Sequence, residues 1–246
     1  MKERCIVVTG ASRGIGAAIA GRLARAGYAV ACLSRSGALP ELPDLPGDAR
    51  ARLIAGVADV TRAGSIAEAI GKIAEGFEIV GLVNNAGVHL EGASAEITLE
   101  HYDQVMATNA TSVLLGCQAV YPHLAARKGG LIVNLGSFFD KLGVKRNLAY
   151  CASKAAVGAM TRCLAVEWAG KGIRVLDVAP GYIHTDLNHE AITQGPLRAY
   201  LEKRIPGREP GTADDVARLV ASLFTSDIPF LTGETLYIDG AQGIAH

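Results

Sequence analysis

This chain predicts a doubly wound α/β domain, with a mostly parallel seven-stranded sheet and helices on both faces. Three observations carry that expectation. Short runs rich in β-branched residues alternate with helical patterns along the whole length, as in sheets joined by crossover helices. The first run ends in a glycine-rich turn that opens a helix. No repeat, low-complexity tract or linker interrupts the 246 residues, so 1–246 reads as one domain.

Taken in order, residues 4–9 (RCIVVT) form the first buried strand. GASRGIG follows, with Gly10, Gly14 and Gly16 enclosing Ser12, Arg13 and Ile15, and leads into the helical AAIAGRLARAG. Strand, glycine turn, helix is the setting in which backbone N–H groups approach a pyrophosphate and a helix N-terminus favours its charge. That context predicts a Rossmann fold, although the spacing is G-x-x-x-G-x-G rather than G-x-G-x-x-G. A plain tight turn is the competing reading, and the context favours phosphate binding.

The second strand, 28–33, ends at Ser34-Arg35 with no carboxylate to accept hydrogen bonds from a ribose 2′-OH. Arg35 and, from the glycine turn, Arg13 would instead grip a 2′-phosphate; two solvated surface arginines are the alternative. Pro40, Pro43 and Pro46 then forbid a long crossover helix, leaving at most a short turn. Residues 53–59 read as the third strand, closed by Asp59-Val60, and 65–75 as an amphipathic helix. The fourth strand, 79–83, runs into Asn84-Asn85-Ala86-Gly87. Residues 91–98 look irregular, and 101–127 read as one long helix with an awkward asparagine, Asn109, inside it. Strands at 131–135, 174–179 and 234–238 and helices at 148–169 and 213–224 complete the fold. Between them, 182–208 reads as a long, partly helical insertion, the kind of loop that closes over substrate.

The chemistry centres on SFFDKLGVKRNLAYCASK. Tyr150 and Lys154 stand four apart on a helical pattern and so share a face. Ser137 ends the fifth strand. A phenol, an ammonium and a hydroxyl in one place make a proton-transfer site. A tyrosine needs its pKa brought down from about 10 toward neutrality, and a cation about 4 Å away in a partly buried site can supply that. Packing alone is the bland reading of Y-x-x-x-K. Cys151 adjoins Tyr150 but faces elsewhere on the helix, which argues against a catalytic thiol.

Composition narrows the class. Lys plus Arg and Asp plus Glu number 24 each, so there is no electrostatic footprint for nucleic acid or an anionic membrane. Five scattered cysteines show no metal spacing. No apolar run is long enough to span a membrane, and the N-terminus enters a strand without a signal segment, which points to a cytoplasmic protein without a metal.

Together and in order, TGASRGIG, NNAG, YCASK and PGYIHTD resemble the classical short-chain dehydrogenase/reductase family over essentially the whole chain. The resemblance implies that Tyr150 is the acid/base, that Lys154 lowers its pKa and holds the nicotinamide ribose, and that Ser137 bonds the substrate oxygen. Asn109 would anchor a water in a proton relay through Lys154. Asp59 would hold the adenine, Asn85, Ala86 and Gly87 would line the cofactor, Val60, Pro180, Gly181 and Ile183 would also touch it, and Thr185 would meet the carboxamide. It implies a homotetramer built partly on the helices from 101 and 148, NADP(H) as cofactor, and a small carbonyl or alcohol substrate. Overall similarity is to 3-oxoacyl-acyl-carrier-protein reductases, which makes an acyl carrier protein a candidate partner. Against that, VHLEGASAEITLEHYD after NNAG has no Lys or Arg, leaving Arg127, Lys128 and Lys171 as basic candidates. An NAD(H)-dependent dehydrogenase of small alcohols, sugars or diols is the competing enzyme, and a dinucleotide-sensing binding protein the competing class.

Overall fold

The computed structural model describes residues 2–185 and 195–245. The sequence-predicted insertion at 182–208 therefore lies partly outside the described residues. Seven strands form one sheet: β1 (Glu3–Thr9), β2 (Ala29–Ser34), β3 (Leu53–Val57), β4 (Phe77–Asn84), β5 (Gly130–Leu135), β6 (Ile173–Pro180) and, last in the chain, β9 (Thr235–Ile238). Their spatial order is β3-β2-β1-β4-β5-β6-β9, and every neighbouring pair is parallel. The two-residue strands β7 (Ile183–His184) and β8 (Gly211–Thr212) pair separately. Strand order reverses between β1 and β4, and a crevice opens at such a switch point beyond the strands' carboxyl ends.

The period-2 pattern of β1 divides the core. Ile6 and Val8 point to the layer of α1 (Gly14–Arg25), while Cys5 and Val7 point to that of α3 (Ser65–Gly76). All four are fully buried, and each aliphatic among them is worth about 1.5–3 kcal/mol of burial. The crossover at 36–52 contains one helical turn, α2 (Gly47–Arg50), as its prolines require. Arg50 donates to the Leu42 carbonyl at 2.6 Å and ties that crossover down.

The predicted single helix over 101–127 is not continuous. It divides into α4 (Leu99–Met106), a π-helical turn Ala107–Thr111, and α5 (Ser112–Ala126). Hydroxyls bond backward along the break, Thr108 to the Gln104 carbonyl at 2.8 Å and Ser112 to that of Thr108 at 2.6 Å. α6 (Leu148–Trp168) packs with α3 and α5 on one face. On the other face, α8 (Ala213–Thr225) joins α1, clamped by the Arg22–Asp214 pair at 2.5 Å. A further helix, α7, covers Gly195–Arg204. Among the described residues, no helix is long and apolar enough to cross a membrane.

Candidate functional site

A cavity of about 640 Å³ opens at the switch point. Gly10, Ser12, Arg13, Gly14, Ile15 and Gly16 form one wall, Ser34 and Arg35 end the next strand, and Asp59 with Val60 continues the rim. Asn85, Ala86 and Gly87 close the floor, and Thr185 reaches in from the far side. Gly10 has φ +65°, and a Cβ there would lie 2.9 Å from the Ala86 Cα. A Cβ at Gly16 would overlap the Gly10 carbonyl oxygen. The Arg13 side chain makes no cap bond at the start of α1, and that first turn has no acidic residue. Its backbone N–H groups are therefore available to an anion.

Arg13 and Arg35 are exposed at the rim and join no ion pair among the described residues. Asp59 takes the Thr61 hydroxyl at 2.7 Å and the Thr61 N–H at 3.0 Å. Those bonds hold its carboxyl below the usual range, with smaller help from Arg35 and Arg62. A glycine cradle, a bare helix terminus and two guanidiniums without an ion pair among the described residues fit the phosphates of a dinucleotide.

Tyr150, Lys154 and Ser137 come together where β5 meets α6. The Lys154 Nζ donates to the Leu135 carbonyl at 2.7 Å and lies 5.7 Å from the Tyr150 ring centroid. It also lies 3.9 Å from where a Gly87 Cβ would be, which joins this cluster to the cavity. Burial pushes the Tyr150 phenol up, while the Ser137 hydroxyl beside it works the other way. The expected depression of Tyr150 by Lys154 is absent: the ammonium is drawn to Leu135, and burial brings Lys154 itself down to about 8. Asn109, in the π turn, accepts from the Val88 N–H at 2.8 Å and donates to the Val88 carbonyl at 2.8 Å and the Ser153 hydroxyl at 3.2 Å. Its amide thus ties the segment after β4 to α6, which gives the mid-helix asparagine a structural reason.

Pro180, Gly181 and Ile183 stand outside the cavity wall. Pro180 ends β6, Gly181 lies against Asp239, and Ile183 is buried in the core beside Gly211. Sequence reasoning missed Thr9, whose hydroxyl accepts the Asn85 and Ala86 N–H groups at 3.0 and 3.1 Å and so fixes the floor. It also missed Gln104, Ala107 and Thr108, which line the cavity from the broken helix. Gln104 stands in the last turn of α4 and Ala107 and Thr108 in the π turn, and helical periodicity carries no sign of that break.

A family model described as enoyl-(acyl carrier protein) reductase matches residues 10–241. The chain belongs to the short-chain dehydrogenase/reductase family. It is 39% identical over 245 residues to 2-(R)-hydroxypropyl-CoM dehydrogenase of Xanthobacter autotrophicus, covering 97% of this chain and 98% of that one. It is 34% identical over 244 residues to a 3-oxoacyl-[acyl-carrier-protein] reductase of Vibrio cholerae, covering 98% of each. Among solved structures it resembles a gluconate 5-dehydrogenase from Burkholderia cenocepacia, in complex with NADP and tartrate. That likeness has a TM-score of 0.88 at 29% identity, over 99% of this chain and 96% of that one. As a member of this family, the protein is an oxidoreductase that uses a nicotinamide cofactor.

Proposed function

We propose that this protein is an NADP(H)-dependent enzyme that interconverts a carbonyl and a secondary alcohol. The observation that carries the reading is the meeting of Ser137, Tyr150 and Lys154 beside a cavity whose rim bears the unpaired Arg13 and Arg35. The bound nicotinamide supplies or accepts the hydride. Arg13 and Arg35 would grip the 2′-phosphate, the α1 N-terminus would take the pyrophosphate, and Asp59 would meet the adenine. At the reacting end, Ser137 and Tyr150 donate hydrogen bonds to the substrate oxygen as charge builds on it. Tyr150 then releases its proton to that oxygen as general acid, and oxidation runs the same transfer backward. Lys154 would hold the ribose, and Asn109 steadies the α6 end of the relay.

The chain acts as one domain, with 182–208 as the substrate loop, and works in the cytoplasm as a homotetramer. Support for the assembly comes from exposed apolar side chains, Leu114 on α5 and Leu148 and Val166 on α6, with Ala155 and Ala159 of α6 also exposed.

The deciding experiment follows NADPH and NADH consumption across oxoacyl thioesters, ketones, quinones and sugars. Turnover with NADPH that depends on Tyr150 supports the reading, and none with any carbonyl overturns it. A second reading, a polyol or sugar dehydrogenase using NAD, draws on similarity to a D-threitol dehydrogenase and a glucose 1-dehydrogenase. NADH-linked polyol turnover in the same panel would select it. An oxoacyl thioester is the substrate class suggested by similarity to the carrier-protein reductases. The segment VHLEGASAEITLEHYD after Gly87, which has no Lys or Arg, argues for a free thioester over a carrier-bound one.

A further inference from the structure

We propose that Asp177 is a positioning residue for the proton-transfer site: its buried carboxylate seats the Leu135–Gly136–Ser137 segment and, when ionised, holds Lys154 in the ammonium form. The inference rests on the reading of Tyr150 and Lys154 given above. Asp177 lies on β6, directly across from Asn134 of β5 and Thr235 of β9, and is 0% exposed. Nothing in the strand pattern IRVLDVAP asks for a charge there, since its neighbours Val175, Leu176 and Val178 are all fully buried.

The carboxylate occupies the space that a side chain at position 136 would need. A Cβ at Gly136 would lie 2.5 Å from Asp177 Oδ1 and 2.6 Å from Oδ2. The Gly136 N–H is bonded to the Val178 carbonyl at 2.8 Å, so this peptide is held on two sides. On one side of Gly136, the Leu135 carbonyl accepts from Lys154; on the other stands Ser137. One carboxylate therefore backs the segment that supplies both groups.

The charge acts as well as the shape. Asp177 Oδ2 accepts from the Thr235 hydroxyl at 3.2 Å and the Gly136 N–H lends the carboxylate weaker support, while Oδ1 makes no direct hydrogen bond of its own among the described residues. A buried carboxylate left half-satisfied is costly to the fold, so its presence asks for another purpose. The charged and titratable groups around it are Lys154 and Arg162 on α6, Asp140 in the turn after Ser137, and Tyr237 on β9. Tyr237 is committed to Asp140, donating to it at 2.8 Å. Lys154 is the strongest charge opposing the burial of Asp177, and Asp177 is the charge that opposes the burial of Lys154. No direct ion pair joins them among the described residues, so the coupling runs through a low-dielectric interior.

The test follows Lys154 itself, with no substrate needed. Protein labelled with 13C at the lysine ε-carbon is titrated by NMR, and the Lys154 signal is assigned by its loss in Lys154→Arg. Asp177→Asn keeps the shape and removes the charge. It should lower the Lys154 midpoint by roughly 0.5–1 pH unit, at the weak end of what a nearby opposite charge does. The alkaline limb of kcat/KM for NADPH oxidation should move down by the same amount, with the carbonyl substrate that the panel identifies. Asp177→Ser, smaller and also uncharged, repeats the test if the asparagine variant does not fold. An unchanged Lys154 midpoint in either folded variant overturns the inference. A shifted midpoint together with full activity in Tyr150→Phe overturns the catalytic reading and leaves only the electrostatic coupling.

Discussion

Tyr150 sits in a place that opposes its ionisation. Burial holds its phenol up, and Ser137 offsets only part of that. At neutral pH the phenol is therefore protonated, the form in which it can donate to a substrate oxygen. Tyr150→Phe should lower kcat at least ~100-fold, the lower end for general acid–base groups. NADPH affinity measured by fluorescence should hold, and kcat within a few-fold of wild type would remove Tyr150 from the mechanism.

Asp177 carries a stability consequence of its own. It ionises at about 3.9 in the unfolded chain and at about 6 when folded, because burial disfavours its charge. Between these values the folded state binds more protons, so stability falls as pH rises through this window and stays lower above it. At about 1.4 kcal/mol per pH unit the loss is at most about 3 kcal/mol. Asp177→Asn should therefore melt a few degrees higher than wild type at pH 7.5, with the gain shrinking toward pH 4. A variant less stable than wild type at pH 7.5 contradicts this account. Nothing in the sequence flagged Asp177: one carboxylate in a buried run gives no sign of what lies across the sheet.

At the scale of elements, the legible parts are those whose cause is local. The β-branched runs of β1, β5 and β6 report burial on both faces, and the prolines at 40, 43 and 46 report a crossover without a long helix. The strand–glycine–helix unit was legible because Gly10 and Gly16 answer to the close approach of the chain to itself. The break in the helix over 101–127 was not. It is supported by tertiary bonds from Asn109 to Val88 and Ser153, which join segments far apart in sequence. The cradle at the start of α1 makes a sharp prediction. Gly16→Ala places a methyl against the Gly10 carbonyl and 2.5 Å from the Asn85 Nδ2. The turn must open, which moves the N–H groups that would face the pyrophosphate. NADPH Kd by calorimetry should rise at least ~10-fold while the far-UV spectrum keeps its shape. Unchanged affinity would separate this turn from the phosphate site.

At the scale of the whole molecule, assembly and charge make separate predictions. The apolar side chains exposed on α5 and α6 should be covered by copies of the same chain, and light scattering at micromolar concentration should give a tetramer; a monomer contradicts that. Charge bears on cofactor choice. The chain has 24 basic and 24 acidic residues, so no net field favours an anion over the molecule as a whole. Any preference for the cofactor with the extra phosphate must then be local, and Arg13 and Arg35 are the local cations at that rim. Two guanidinium contacts worth about 2–4 kcal/mol together correspond to roughly 30- to 1000-fold in kcat/KM for NADPH over NADH. Both arginines are exposed, which pulls the expectation toward the lower figure and makes it salt-sensitive. Arg35→Ala should weaken NADPH far more than NADH, and raising salt from 0.05 to about 0.5 M should narrow the wild-type ratio while leaving that of the variant nearly flat. Ser34 at the end of β2 repels neither cofactor, so discrimination has to come from attraction by the arginines and not from exclusion of NADH. Equal kcat/KM for the two cofactors, unmoved by Arg35→Ala or by salt, would falsify the phosphate clamp and leave the NAD-dependent polyol reading in its place.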